Sequence, residues 1–373
     1  MMMMAARLHH VADKMKIEQL PIPEPGDRDV QVRVHACGIM PNFANILANW
    51  PTWFPELPLP PLPAIFGLDP AGEITAVGSK VHEWKPGDRV YVNPGRVCGG
   101  CRACRSDNSI HCEYYALGGY MGASQKSIKL FEDYPYGGLC EYMIAPQYAL
   151  VKLPDNVTYN QAARFGYLGT MYSAMRKGDV GGGRSLLING ISGTLGLGGA
   201  LLGLAMGATR ILGTARNPEL LARVKALAPE RIDVFSTADG EAIDSWVMSQ
   251  TNGRGVDVFI DALGPGCSHE AVQQGMRSLS RGGRAYNIGG VAGYVGMKLD
   301  LMMANGQSMA GSPWFTTGDG QVLAEMAEVG TLDLSVFEHV CYPLDQVNEA
   351  ISGLPSRNGG FTNFVVNPGV SSL

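Results

Sequence analysis

Alternation of apolar and polar positions marks the first third of the chain as β-rich. The run 30-VQVRVHACGI-39 has strand periodicity, 71-AGEITAVGSKV-81 repeats it, and 86-PGDRVYVNPG-95 reads as turn, strand, turn. Prolines crowd 51-PTWFPELPLPPLPAIFG-67. That density excludes a helix interior or a central strand and predicts an irregular surface segment, its aromatics and leucines packed partly inward. From about residue 168 the period changes. The buried run 184-RSLLING-190 predicts a strand, followed by a glycine-rich turn and an apolar helix ending near Gly207. Strands are expected at 209-TRILGTA-215, 256-VDVFIDALG-264 and 282-GGRAYNIGG-290, with helices at 218-PELLARVKALA-228 and 268-SHEAVQQGMRSL-279. Alternating strand and helix at this spacing predicts an α/β fold with a parallel sheet covered on both faces. The final stretch returns to mixed structure, and 361-FTNFVVNP-368 needs a sheet to join.

Composition narrows the class. A length of 373 residues exceeds one ordinary core and predicts two domains. With 46% hydrophobic and 17% charged residues the chain reads as globular, and a net charge of −5 without any basic run argues against a nucleic-acid partner. The N-terminal residues lack a signal-peptide pattern, and the apolar stretch 194-TLGLGGALLGLAMGA-208 is too short to span a bilayer. No membrane association is expected. Four of the eight cysteines fall within fifteen residues, which is metal spacing and fits a reducing, cytoplasmic setting.

The turn after the first strand of the alternating half is 190-GISGTLG-196. Gly190 lets the chain turn tightly, Gly193 admits close approach of a diphosphate, and Gly196 lets the helix pack near the strand. Ser192, Thr194 and Leu195 complete the cradle, where the free N–H groups of the helix face phosphates. The next strand ends 213-GTARNPE-219. Ala215 removes the carboxylate that would repel a 2′-phosphate, and Arg216 offers a fork of donors to hold one. NADP is therefore the expected cofactor; if Arg216 only stacks on adenine, NAD is accepted as well.

Cys98, Cys101, Cys104 and Cys112 follow C-x2-C-x2-C-x7-C. Four thiolates in one loop close a tetrahedral shell around zinc and leave no open position, so one structural zinc is expected. The other cysteines, Cys37, Cys140, Cys267 and Cys341, are expected as small buried apolar residues.

With these motifs in place, the chain resembles the medium-chain dehydrogenase/reductase superfamily, the zinc-type alcohol dehydrogenases and their relatives. The resemblance covers nearly the full length, through 67-GLDPAGEITAVG-78, 86-PGDRV-90, the cysteine loop, the nucleotide motif and 343-PLDQVNEAI-351. It implies a Rossmann doubly wound parallel sheet domain over 168–317 and a GroES-like, mainly β domain made of 1–167 with 318–373. It also implies a cleft between them, hydride transfer at the nicotinamide C4, and a homodimer or homotetramer. The catalytic zinc ligands of that family do not carry over. Their positions hold Met40, Leu68 with Asp69, and a residue near Gly166, none of which makes a zinc site. No catalytic zinc is expected. Pro41 and 67-GLDPAG-72 resemble instead a zinc-free branch of quinone oxidoreductases and enone reductases.

Without a Lewis acid, hydrogen-bond donors must meet the charge that develops on oxygen, and a side chain or water must supply a proton. The resemblance places Asn42, Asn45, Asp69 and Tyr167 near the cleft as candidates. Each has a plainer use: Asn42 and Asn45 as caps or turn residues near the helix that starts around residue 43, Asp69 as an acceptor within its turn, Tyr167 as pocket wall. Met40, Phe43, Leu68, Trp50 and Trp53 predict an apolar pocket for a hydrophobic or aromatic carbonyl or alcohol, or else core. Three functions follow: an NADP(H)-dependent alcohol dehydrogenase or carbonyl reductase without catalytic zinc, an enone or quinone reductase, and a non-catalytic NADPH-binding protein.

Overall fold

The computed structural model describes residues 1–11, 13–41, 43–239 and 242–370. Six parallel strands form the nucleotide half, in the order Ile232–Ser236, Arg210–Ala215, Ser185–Asn189, Val256–Asp261, Leu279–Asn287, Ser308–Gly311. Ser185–Asn189 is buried along its whole length, as a central parallel strand covered on both faces must be. Pairing radiates outward from it, Leu187 facing Leu212 on one side and Phe259 on the other. The strand Ile232–Ser236 and the edge strand Ser308–Gly311 are additions to the expected set.

The other half is built on a seven-stranded sheet ordered Leu150–Lys152, Arg89–Val92, Asp69–Val77, Asp29–Gly38, Thr362–Asn367, Glu338–Pro343, with Tyr142–Pro146 also pairing to Asp29–Gly38. The C-terminal strand finds its sheet here: Val366 lies antiparallel beside Cys37, while Glu338–Pro343 runs parallel to it on the far side. Residues from both ends of the chain therefore share one core.

The proline-dense segment departs from its expected form at its start. The helix Phe43–Trp53 runs on through the first three of those residues before the chain turns. Trp50 Nε1 donates to Leu57 O at 2.7 Å, which fixes that turn, and Ala64–Ile65 then pairs with Arg7 and Leu8. Trp50 and Phe43 are buried in the core. Among the described residues, no helix is long and apolar enough to cross a membrane.

Candidate active site

A cleft of ≈ 1440 Å³ opens at the C-terminal ends of Ser185–Asn189 and Arg210–Ala215, with Met40, Leu68, Tyr120 and Tyr167 across from the glycine-rich turn. That exceeds the ~300–1,000 Å³ usual for a drug-sized ligand and suits a dinucleotide beside a second molecule.

The glycine turn is shaped by its backbone. Gly190 takes φ +79°, a left-handed conformation that favours glycine. A Cβ on Gly196 would stand 2.1 Å from Gly190 O, so the helix start can lie against the strand end only with glycine there. The helix Thr194–Ala205 begins at Gly193, which has no side chain to cap the first turn. Ser192, Gly193, Thr194 and Leu195 line the cleft, and Thr194 Oγ1 is buried without a hydrogen-bond partner. Uncapped helix N–H groups beside an orphaned hydroxyl fit the diphosphate of a dinucleotide. Farther along the cleft, Ala215 and the exposed Arg216 follow, and Arg216 makes no ion pair among the described residues. Asn217 Oδ1 next accepts the N–H groups of Glu219 and Leu220 and so starts the helix Pro218–Ala226.

The cysteine loop closes as a four-sulfur cage. The four Sγ atoms lie within 4.8 Å of one another, and Cys101 Sγ to Cys104 Sγ is 3.6 Å. Zinc–sulfur bonds of ~2.3 Å give a tetrahedral edge of about 3.8 Å, so the donor set and its span fit one zinc. Burial pushes the Cys112 thiol up, and the backbone N–H groups of Cys98 and Tyr114, which point at its Sγ at 3.4 Å, oppose that shift. Among the described residues this is the one group of three or more His, Cys, Asp and Glu placed to hold an ion.

The positions that the resemblance assigns to a catalytic metal hold other groups. Met40 and Leu68 stand together against a small apolar hole shared with Phe43 and Leu139. Gly166 gives its side-chain space to Asp69: a Cβ there would sit 2.0 Å from Asp69 Oδ1. A thioether is a weak donor, an isobutyl group and a hydrogen are none, and the buried Asp69 carboxylate alone does not make a zinc site. Asp69 is 1% exposed and accepts from Tyr91 Oη at 2.8 Å and from the Gly166 N–H. Burial raises its acid from 3.8 to about 7, against the lowering effects of Tyr91, Gly166 and Arg164.

The sequence-derived candidates therefore separate. Tyr167 lines the cleft, its phenol makes no protein hydrogen bond among the described residues, and burial holds it well above the usual tyrosine range. Asp69 lies behind the cleft wall instead of on it. Asn45 is on the exposed face of its helix, where Oδ1 and its carbonyl both accept from Asn49 Nδ2 at 2.9 Å, and it does not line the cleft. Asn42 lies outside the described residues. Of the expected apolar pocket, Met40 and Leu68 reach the cleft, whereas Phe43 and Trp50 are core and Trp53 does not line it. Phe54 and Leu57 line it in their stead. The lone cysteines also split: Cys37 and Cys140 are buried as expected, but Cys341 is exposed and Cys267 lines the cleft. No sequence signal pointed to Arg357, which enters the cleft from the C-terminal segment.

Comparison with known proteins agrees with this architecture. The "Alcohol dehydrogenase GroES-like domain" family matches residues 26–155 and the "Zinc-binding dehydrogenase" family residues 194–329, together over two thirds of the chain. Sorbitol dehydrogenase of Bacillus subtilis (strain 168) is 29% identical over 77% of this chain and 75% of its own. The crystal structure of AibC superposes with a TM-score of 0.83 at 26% identity, covering 99% of this chain and 96% of that one. A putative zinc-binding dehydrogenase of Sinorhizobium meliloti 1021, bound to NADP, shares the fold at a TM-score of 0.80 and 21% identity, over 99% and 100% of the two chains.

Proposed function

The chain belongs to the medium-chain dehydrogenase/reductase superfamily, and on that premise we propose that it is an NADP(H)-dependent alcohol dehydrogenase or carbonyl reductase that works without a catalytic zinc. The observation that carries the reading is the unpartnered phenol of Tyr167 in a cleft wall lined by Met40 and Leu68, side chains that make no zinc site. The residues Gly190 to Gly196 would hold the diphosphate, and Ala215 with Arg216 the 2′-phosphate. When bound, the reduced nicotinamide supplies the hydride.

This chain's own residues account for the rest. Met40, Leu68, Phe54 and Leu57 make an apolar wall that excludes water and favours a hydrophobic or aromatic carbonyl compound. Tyr167 remains a neutral phenol at working pH, because burial disfavours its anion. Its O–H donates to the carbonyl oxygen as negative charge builds there. As the carbonyl carbon gains the hydride, the oxygen takes a proton from that phenol or through it from solvent, giving the alcohol. In the oxidative direction the phenol acts as a relay: its oxygen accepts the hydroxyl proton as its own proton passes to solvent, and Tyr167 stays neutral. Asp69 serves as a positioning residue: it holds the N–H of Gly166, the residue before Tyr167, and so fixes the turn that carries the phenol.

The alkene-reductase reading keeps one specific support, the likeness of 67-GLDPAG-72 to the zinc-free branch. Product analysis from a conjugated cyclic enone with NADPH separates the two. An allylic alcohol is expected, with hydride at the carbonyl carbon. A saturated ketone would move the hydride to the β-carbon and replace the proposed reaction with ene reduction. Tight NADPH binding with neither product would favour the non-catalytic reading.

A further inference from the structure

Tyr120 enters the cleft from the segment that follows the cysteine loop. The short strands Gly95–Arg96, Ala116–Leu117 and Met121–Gly122 pair antiparallel, and Tyr120 lies in the turn between the last two. Backbone contacts fix that turn. Tyr120 N donates to Leu117 O at 3.0 Å, and Gly119, at φ +72°, accepts the Gly67 N–H at 3.1 Å. Gly67 precedes Leu68, so this contact joins the turn to the segment that forms the apolar wall. The Tyr120 ring stands edge-on to the buried Trp50, with centroids 5.6 Å apart. Its Oη has no protein partner among the described residues, and burial pushes its ionisation up, so the phenol stays a neutral donor.

Tyr167 reaches the same cleft from the first turn of the helix Phe165–Lys177. The two phenols are not bonded to each other, yet they stand within electrostatic reach, since charge on Tyr120 would disfavour the Tyr167 anion further. The other polar groups on this side are already engaged. Among the described residues up to Thr170 that line the cleft, the third polar one is Thr170 itself, whose Oγ1 donates to Gly166 O at 2.8 Å. Trp314, also in the lining, donates its Nε1 to Asn93 Oδ1 at 3.0 Å. The remaining side chains of that stretch are methionine, leucine, isoleucine, proline and phenylalanine. Two free O–H groups therefore face an otherwise apolar wall. Covering them with a ligand costs free energy unless the ligand brings acceptors. A carbonyl oxygen, with two lone pairs, accepts both.

We propose that Tyr120 is a second catalytic donor: its phenol and that of Tyr167 both bond the substrate's carbonyl oxygen, one to each lone pair. The inference rests on the carbonyl-reductase reading and deepens it. As the carbonyl carbon takes the hydride, the C=O π pair moves onto oxygen. Tyr167 passes that oxygen a proton and regains one from solvent, while Tyr120 keeps its own proton and holds the charge. Two neutral donors thus share the work that a single Lewis acid would do alone. The fitting substrate is an aldehyde or ketone whose oxygen is open on both sides.

The test uses the purified full-length chain and isotope-labelled benzaldehyde. Infrared difference spectra of its dead-end complex with NADP+ read the hydrogen bonds to the carbonyl, and NADPH oxidation reads turnover. Tyr120→Phe keeps the ring against Trp50, so its melting temperature and NADPH affinity should match those of the unaltered chain. The carbonyl stretch should rise toward its free value in Tyr120→Phe and in Tyr167→Phe, and furthest in the double variant. In Tyr120→Phe kcat should fall about tenfold or more, the scale of one hydrogen bond to a developing charge. An unchanged stretch with unchanged kcat overturns the assignment and leaves Tyr167 as the sole donor. A raised KM alone, with stretch and kcat unaltered, also overturns it, because the phenol then touches another part of the substrate. If the unaltered chain oxidises NADPH with neither benzaldehyde nor acetophenone, the carbonyl-reductase reading fails and this inference with it.

Discussion

The cysteine loop and the cleft wall around Met40 make an instructive pair. In the loop, all four sulfur donors are present and gather within 4.8 Å, with Cys112 buried against the main core. In the wall, the donor positions hold a methionine, a leucine and a glycine, and the space beside the glycine has been taken by an acid from the neighbouring strand. One region gathers four sulfur donors suited to a structural zinc; the other lines the cleft with phenols and apolar surface. The two metal functions of such a fold, stabilising and activating, are separable because their ligands come from different segments and serve different energies.

The largest effect should come from the wall. Tyr167→Phe removes one of two unpartnered phenols, Tyr120 being the other, that line this wall among the described residues, and turnover should fall by roughly 10²-fold or more while NADPH affinity stays within a small factor. Steady-state kinetics with a direct NADPH titration checks this, and a variant that keeps full turnover would return Tyr167 to the role of pocket wall. In the loop, Cys112→Ser should abolish zinc retention and lower the melting temperature by many degrees, with activity lost only in proportion to unfolded protein. A variant that stayed as stable as the parent would mean that the sulfur cage binds nothing of consequence.

A middle-sized effect probes how closely Asp69 fills the space beside Gly166. Gly166→Ala pushes a Cβ to within 2.0 Å of Asp69 Oδ1 and should destabilise the fold by about 1–3 kcal/mol. Paired with Asp69→Ala the same change should be tolerated, a coupling that chemical denaturation of the single and double variants would measure.

The smallest effect is a pH dependence. Asp69 ionises near 3.8 in the unfolded chain and near 7 in the folded one, so between those values the folded protein holds a proton that the unfolded chain has released. Its contribution is fully present below about pH 4 and is lost as pH rises to 7. Asp69→Asn keeps an acceptor for Tyr91 without the charge. Its stability relative to the parent should therefore improve from pH 4 to 7 and level off above that. Melting curves across this range that run parallel for both proteins would place the ionisation of Asp69 in its ordinary range.

Much of this was legible in the sequence where function sits in contiguous residues. The turn 190-GISGTLG-196 and the cysteine spacing declare themselves because backbone shape and metal geometry require those residues at short separation. Helix register hid more. Asn45 looked suitable by position, yet its helix turns it outward to Asn49. Asp69 looked like a cleft acid and proved to be an interior one, because Gly166 opens a space behind the wall that only the folded chain reveals. Arg357 was invisible because 163 positions separate it from Thr194, and their segments meet through a backbone contact and the Arg164 side chain, with no motif. The strand Ile232–Ser236 escaped notice for a simpler reason: only its first residue is fully buried, so its apolar pattern is weak.

The most direct test of the central claim is zinc content measured against turnover on the same purified sample. Elemental analysis of the active protein should give one zinc per chain, with none in a variant lacking loop cysteines, and turnover in folded protein should not scale with any second ion. Two zinc ions per chain, with activity rising and falling with occupancy of the second, would contradict the account and return a metal to the wall beside Met40.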